Sequence, residues 1–332
     1  MREPRSHFEW PDGRRFAFSI FDDTDHTTLA NGPVVYRALT EMGFRITKSV
    51  WVHDGHAGGT TGGSSCDDPH YVDWVRELRS QGHELALHNV ADGSSTREQT
   101  VAGLDRFREL FGADPRLGAD HAGNRECLYG GAARLSGWRS AAYAAAERVL
   151  QPRRPRFSGH DPASGYFWGD VCRDRIDYWR GLAFAETDVS RLLPAMPYRD
   201  PLRPSVRRWF ITSDAPTCAD AVRLLDEDAL DRLEDGGGWC IVSTHLGLDF
   251  VDAAGRLDPR FESAMRSLSR RDGWFVPVTK ILDHLASRQA REVITVGERR
   301  RLERRWIADR LRHRVRLGPS VVTTPDEADE VS

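Results

Sequence analysis

Short apolar runs bounded by turn residues alternate with stretches of helical period along most of the chain. The runs predict strands over 14–21, 46–53, 84–90, 116–121, 207–212 and 239–244, with a short one near 274–277. Between them, apolar positions at helical spacing predict helices over 33–42, 69–81, 96–111, 216–234 and 258–271. Ser95-Thr96-Arg97-Glu98 supplies a Ser or Thr cap and an early acid ahead of Val101, Leu104 and Phe107, which share one helix face. Strand–helix alternation with parallel crossovers implies an α/β sheet or barrel, whose site lies at the carboxyl ends of the strands.

Three stretches break the alternation. Residues 54–68 form a Gly-rich loop, either a surface excursion or a substrate lid. Residues 152–206, rich in Pro, Arg and aromatics, look like an insertion in a domain spanning 1–287. From 288 to 332 an extension carries an Arg-rich helical run, Glu298 to Arg316, and an acidic end expected to be disordered.

A chain of 332 residues with 39% hydrophobic content can build one large barrel or two ordinary domains. The net charge of −3 argues against general nucleic-acid binding, and the scarcity of lysine (Lys48 and Lys280 only) reads as genome composition. No apolar run approaches the roughly 20 residues that span a bilayer, and the first residues lack the apolar core of a secretory signal. Five cysteines show no zinc-type spacing. The expectation is a reduced, cytoplasmic protein with a small-molecule partner, no nucleic acid, no membrane, and room for a homo-oligomer.

The chemistry gathers at the ends of the predicted strands. Phe16-Ala17-Phe18-Ser19-Ile20-Phe21 runs into Asp22-Asp23, and adjacent carboxylates after a buried strand are costly unless a cation or a proton-transfer role holds them. Side chains alternate along a strand, so one aspartate can ligate a metal while the other faces substrate. The alternative is a polar turn with Asp23 capping Thr24-Asp25-His26. Leu85-Ala86-Leu87 ends in His88; His83, an odd number of positions earlier, points the other way. Ile241-Val242-Ser243-Thr244 ends in His245, placed to donate a proton to a leaving amine.

In order and spacing, Phe21-Asp22-Asp23, Gly82-His83-Glu84 leading to His88, and Ser243-Thr244-His245 resemble the polysaccharide deacetylase family, the NodB-homology fold, over roughly residues 14–285. The resemblance implies a distorted (β/α) barrel of about seven strands. It implies Asp22 as the base, Asp23 and His88 as metal ligands, and His245 as the acid. The family's second histidine ligand is Asp92 here, a carboxylate able to ligate Zn²⁺ or, somewhat better, harder ions such as Mn²⁺. In place of the family's Arg-x-Pro-aromatic phrase stands Leu117 to Glu126, where His121 supplies the missing ligand or binds substrate, and Asn124 and Arg125 are further substrate candidates. In the predicted insertion, His160, Trp168 and Asp170 suit contact with a sugar ring, and Asp170 or Asp249 is available to orient the acid histidine.

The expected function is metal-dependent removal of an N-acyl group, most plausibly acetyl, from a sugar or sugar-like small molecule. Zn²⁺ is the expected ion, with Mn²⁺, Co²⁺ or Ni²⁺ as alternatives. Two other readings stay open: a C–N hydrolase acting on a cyclic amide, and a metal-free binding protein on the same fold.

Overall fold

The computed structural model describes residues 8–55, 59, 61–151 and 156–317, with side chains through 312. Parts of the Gly-rich loop and the acidic end therefore lie outside the described residues, as do the first seven positions. Seven parallel strands close into a barrel: β1 (Phe16–Asp22), β2 (Thr47–Val50), β3 (Glu84–His88), β4 (Leu117–Ala119), β5 (Tyr178–Phe184), β6 (Trp209–Asp214) and β7 (Trp239–Thr244). Each pairs with the next, and β7 returns to β1. An eighth strand, β8 (Gly273–Phe275), pairs with the first residues of β1, from Phe16 to Phe18. The β1–β2 seam consequently rests on only two register pairs, Phe21 with Thr47 and Asp22 with Lys48.

Alternation along β1 sorts its side chains into two layers. Phe16, Phe18 and Ile20 join the outer cluster with Val35, Tyr36 and Leu39 of α1 (Gly32–Glu41). Ala17 and Phe21 face the barrel interior, in a second cluster with Ile241 of β7 and Phe210 of β6. Further helices cover the outside: α2 (Pro69–Ser80), α3 (Arg97–Phe111), α4 (Trp138–Leu150), α5 (Gly169–Arg175), α6 (Cys218–Leu224), α7 (Glu227–Gly236), α8 (Pro259–Ser269), α9 (Val278–Arg288) and α10 (Val296–Leu317).

Local chemistry fixes the helix ends. Thr96 caps α3 in a reciprocal box with Gln99. The helix expected over 216–234 breaks in two because Asp226 caps a new start, accepting from Ala229 N–H. The stretch read as an insertion contains β5, a strand of the barrel itself, whose Arg180 and Gly181 interrupt the apolar run that would have announced it. The Arg-rich run forms α10, which buries Leu302, Trp306, Arg299 and Glu303; Arg299 reaches Asp200 at 2.6 Å and Glu303 accepts from Arg139 at 2.7 Å. No helix among the described residues is long and apolar enough to cross a membrane.

His83 sits outside the barrel, buried against Tyr36. Its Nδ1 accepts from Ile46 N–H at 3.1 Å and its Nε2 lies 2.9 Å from Thr40 Oγ1, an arrangement for a neutral ring. Burial, aided by the Arg45 charge, pushes its pKa down to about 4. A depressed folded-state value means the contribution is complete above the unfolded value near 6.5 and is lost as pH falls toward about 4. Urea unfolding at about pH 7 and about pH 4.5 should show the parent losing about 2–3 kcal/mol more than His83→Asn over that interval. Equal losses in the two proteins would contradict the assignment.

Candidate active site

Asp22 and Asp23 part company at the end of β1 because of strand parity. Asp22 keeps the outward parity of Phe16, Phe18 and Ile20 and is fully buried between barrel and helix layer. Lys48 Nζ lies 3.0 Å from its Oδ2, Tyr36 donates to the same oxygen at 2.8 Å, and Leu246 N–H donates to Oδ1 at 2.9 Å. Burial raises its pKa, against the pull of Lys48. Asp22 lies in the outer layer, away from the barrel mouth and with no access from solvent, so it is in no position to act on a substrate. The base role implied by family resemblance does not suit this residue.

Asp23 has the inward parity of Phe21 and stands in the barrel mouth. Arg180 of β5 grips it with two bonds, 2.9 Å to Oδ1 and 2.8 Å to Oδ2, while stacking 4.9 Å above the Phe21 ring. A bidentate guanidinium holds a carboxylate in one orientation. Asp23 Oδ1 lies 3.4 Å from His88 Nδ1.

The residue that meets both imidazoles is Asp25, two positions further on, which the sequence offers only as part of a polar turn. His88 Nε2 is 3.0 Å from its Oδ2 and His121 Nε2 is 3.0 Å from its Oδ1. Donor atoms of Asp25, His88 and His121 all lie within 4.8 Å of one another, and all three residues are buried. Burial alone would raise the Asp25 carboxyl, yet the two imidazoles hold it well below the usual carboxylate range. Burial works against charge on His121 as well, but the bond to Asp25 lifts its pKa to about 9. Asp25 Oδ2, His88 Nδ1 and Asp92 Oδ1 are buried and make no well-formed hydrogen bond, although the Asp25 oxygen lies 3.0 Å from His88 Nε2 and His88 Nδ1 lies 3.4 Å from Asp23 Oδ1. Such orphaned atoms in a cluster of one carboxylate and two imidazoles fit a divalent cation, since this donor set suits Zn²⁺.

Asp92, expected as a ligand, stands beside the Asp25–His88–His121 group, with its Oδ1 buried and without a hydrogen bond. Its Oδ2 accepts from the N–H groups of Thr61 and Gly62, both at 2.9 Å, anchoring the Gly-rich loop from within. Its Oδ1 stays 3.9 Å from His121 Nε2, at the rim of the cluster. His245, following β7, is about a quarter exposed; its Nε2 is 3.8 Å from both Asp23 Oδ2 and Asp25 Oδ2. Its Nδ1 sits 2.9 Å from Pro216 O. A carbonyl only accepts, so Nδ1 carries a hydrogen and Nε2 is the nitrogen that faces the mouth. Neither Asp170 nor Asp249 is needed to orient this ring.

The expected sugar-contacting residues prove otherwise engaged. Trp168 is fully buried, donates from Nε1 to Glu126 O at 2.7 Å and packs edge-on against Trp179, leaving no ring face for a ligand. Asp170 makes a bidentate pair with Arg97, both bonds 2.7 Å. His160 stacks on Tyr129 at 4.3 Å and accepts from its backbone N–H. Asn124 is buried beside His121, with Oδ1 3.2 Å from the Nδ1 of that ring. Arg125 is exposed, over the Tyr166 ring at 5.6 Å.

Neither a protein-family model nor a curated protein matches the chain by sequence. Among solved structures, a putative polysaccharide deacetylase from Mycobacterium smegmatis matches with a TM-score of 0.51 at 16% identity, over 88% of this chain and 98% of that one. A probable polysaccharide deacetylase from Pseudomonas aeruginosa PAO1 gives 0.48 at 13%, over 85% and 94%. PuuE allantoinase gives 0.47 at 14%, over 87% and 95%. The first likeness bears out the distorted α/β barrel of polysaccharide deacetylase type.

If Asp22 serves the scaffold, removing its partner should be costly. Lys48→Met strands a buried carboxylate and should destabilise the protein by about 3–5 kcal/mol in urea unfolding. Adding Asp22→Asn should recover most of that loss. A stable single variant, or a double variant no better than the single, would contradict the structural role.

Proposed function

We propose that the chain is a metal-dependent hydrolase that removes an acyl group, acetyl in the first instance, from the nitrogen of a small sugar-like molecule. The observation that carries this reading is the convergence of Asp25, His88 and His121 within 4.8 Å, with His245 alongside. These three would hold the ion. When bound, a divalent cation there supplies Lewis-acid activation of the amide carbonyl and of the attacking water.

The protein's own groups divide the proton work. Asp23, rather than Asp22, is the carboxylate placed to accept a proton from water, because it faces the mouth and Arg180 fixes its direction. A base must reach the proton it takes, and geometry comes before basicity in choosing it. His245 is suited to the opposite step. With Nδ1–H anchored on Pro216 O, its Nε2 is aimed at the mouth, 3.8 Å from Asp23 Oδ2 and Asp25 Oδ2. A proton on Nε2 would pass to the departing nitrogen as the C–N bond breaks, preventing expulsion of an unstable amide anion. Low exposure of Asp23, Asp25, His88 and His121 strengthens each electrostatic contact by excluding water.

Protein purified without chelator should retain or rebind about one divalent ion per chain, and Asp25→Ala should lose it. Failure of the parent to take any ion would favour a metal-free binding protein. Assay against N-acetylated sugars and cyclic ureides, following free amine, separates deacylation from ring opening. With a verified substrate, His245→Ala and Asp23→Asn should each lower kcat by about 10²–10⁴-fold while the ion stays bound. Near-normal turnover in either variant would remove that residue from the mechanism.

A further inference from the structure

We infer that Asn124, locked by Glu126 and the Ala91 carbonyl, is a positioning residue that commits the Nε2 of His121 to the cation; this rests on the metal-dependent reading above. Asn124 Nδ2 lies 3.0 Å from Ala91 O and 2.8 Å from Glu126 Oε1. The Ala91 carbonyl can only accept, so the nitrogen of the amide must face that side. The Asn124 oxygen is thereby left facing His121 Nδ1, 3.2 Å away. An amide oxygen accepts and never donates, so the hydrogen-bonded Nδ1 carries a hydrogen. The nitrogen free to give up its proton to a cation is Nε2, the one 3.0 Å from Asp25.

Glu126 makes the arrangement rigid. It is fully buried, and its Oε2 accepts from Ser95 N–H at 3.1 Å while Oε1 receives Asn124. The backbone of His121 is held independently: its N–H donates to Asn89 Oδ1 at 2.6 Å, and its carbonyl accepts from Asn124 N–H at 3.2 Å. Ring and backbone of His121 are thus both immobilised on the side away from Asp25. A ligand histidine whose other nitrogen donates to a fixed acceptor binds its metal in one tautomer and one orientation, which typically governs affinity by about 10–100-fold. Asn124 touches neither reacting atoms nor cation, so it positions a ligand without joining the catalysis.

Two measurements on the full chain test the inference. In protein loaded with NMR-active cadmium and isotope-labelled at histidine nitrogens, the metal should couple to Nε2 of His121 and a proton should remain on Nδ1. Coupling to Nδ1, or an unprotonated Nδ1, would overturn the assignment without recourse to any variant. Zinc affinity, read by competition with a chromophoric chelator, should fall about 10–100-fold in Asn124→Leu while the cooperative unfolding transition persists. Parent-like affinity in that variant, with the parent binding zinc, would overturn the positioning role alone. A parent that takes neither zinc nor cadmium would overturn the metal-dependent reading and this inference with it.

Discussion

The barrel closes across two residues of β1, and a buried ion pair sits on that seam. Because β8 occupies the first half of β1, only Phe21 and Asp22 reach β2, and Asp22 is the register partner of Lys48. Their side chains share the outward face and meet at 3.0 Å with no exposure to solvent. A buried pair gains little net stability over apolar packing, because both charges lose their hydration. What it fixes is register: a slip of one residue would strand both charges and turn every β1 side chain to the other layer. Tyr36 and Leu246 N–H extend the clamp to α1 and to the chain beyond β7, so one carboxylate ties together the elements that frame the mouth.

That constraint places the polar groups on the inner side. With Asp22 facing out, Asp23 must face in, and the chain after the strand brings Asp25 beside it. His88 ends β3, His121 follows β4, His245 follows β7, and Arg180 reaches across from β5. Five strands and the chain just after them thus contribute six charged or imidazole groups to a common centre, two of them from β1, where a single buried acid or base would be prohibitively costly. The acids lower the cost of the imidazoles and the imidazoles that of the acids. Asp25 Oδ2 and Asp92 Oδ1 are left without a hydrogen bond, and a cation held by Asp25, His88 and His121 would satisfy the first of them.

Much of the barrel was legible because buried strands and amphipathic helices have different periods. β5 escaped notice because its Arg180 and Gly181 serve the site and a close approach to Trp209, and so break the apolar signature. Among the site residues, His88 and His245 were marked by their place at the ends of apolar runs. Parity says that Asp22 and Asp23 differ, but not which layer each enters. That depends on Phe16, Phe18 and Ile20 packing against α1, a tertiary fact. Asp25 shares the parity of Asp23 in the phrase Asp22-Asp23-Thr24-Asp25, the one available signal, and the same phrase also suits a polar turn. Trp168 looked like a stacking platform because composition does not reveal burial.

Anomalous scattering from crystals of the zinc-loaded protein, collected on either side of the metal absorption edge, tests the central claim most directly. The account predicts one strong peak bounded by Asp25, His88 and His121, with Asp22 still engaged by Lys48. A peak ligated instead by Asp22, or by Asp23 together with Asp92, would contradict it.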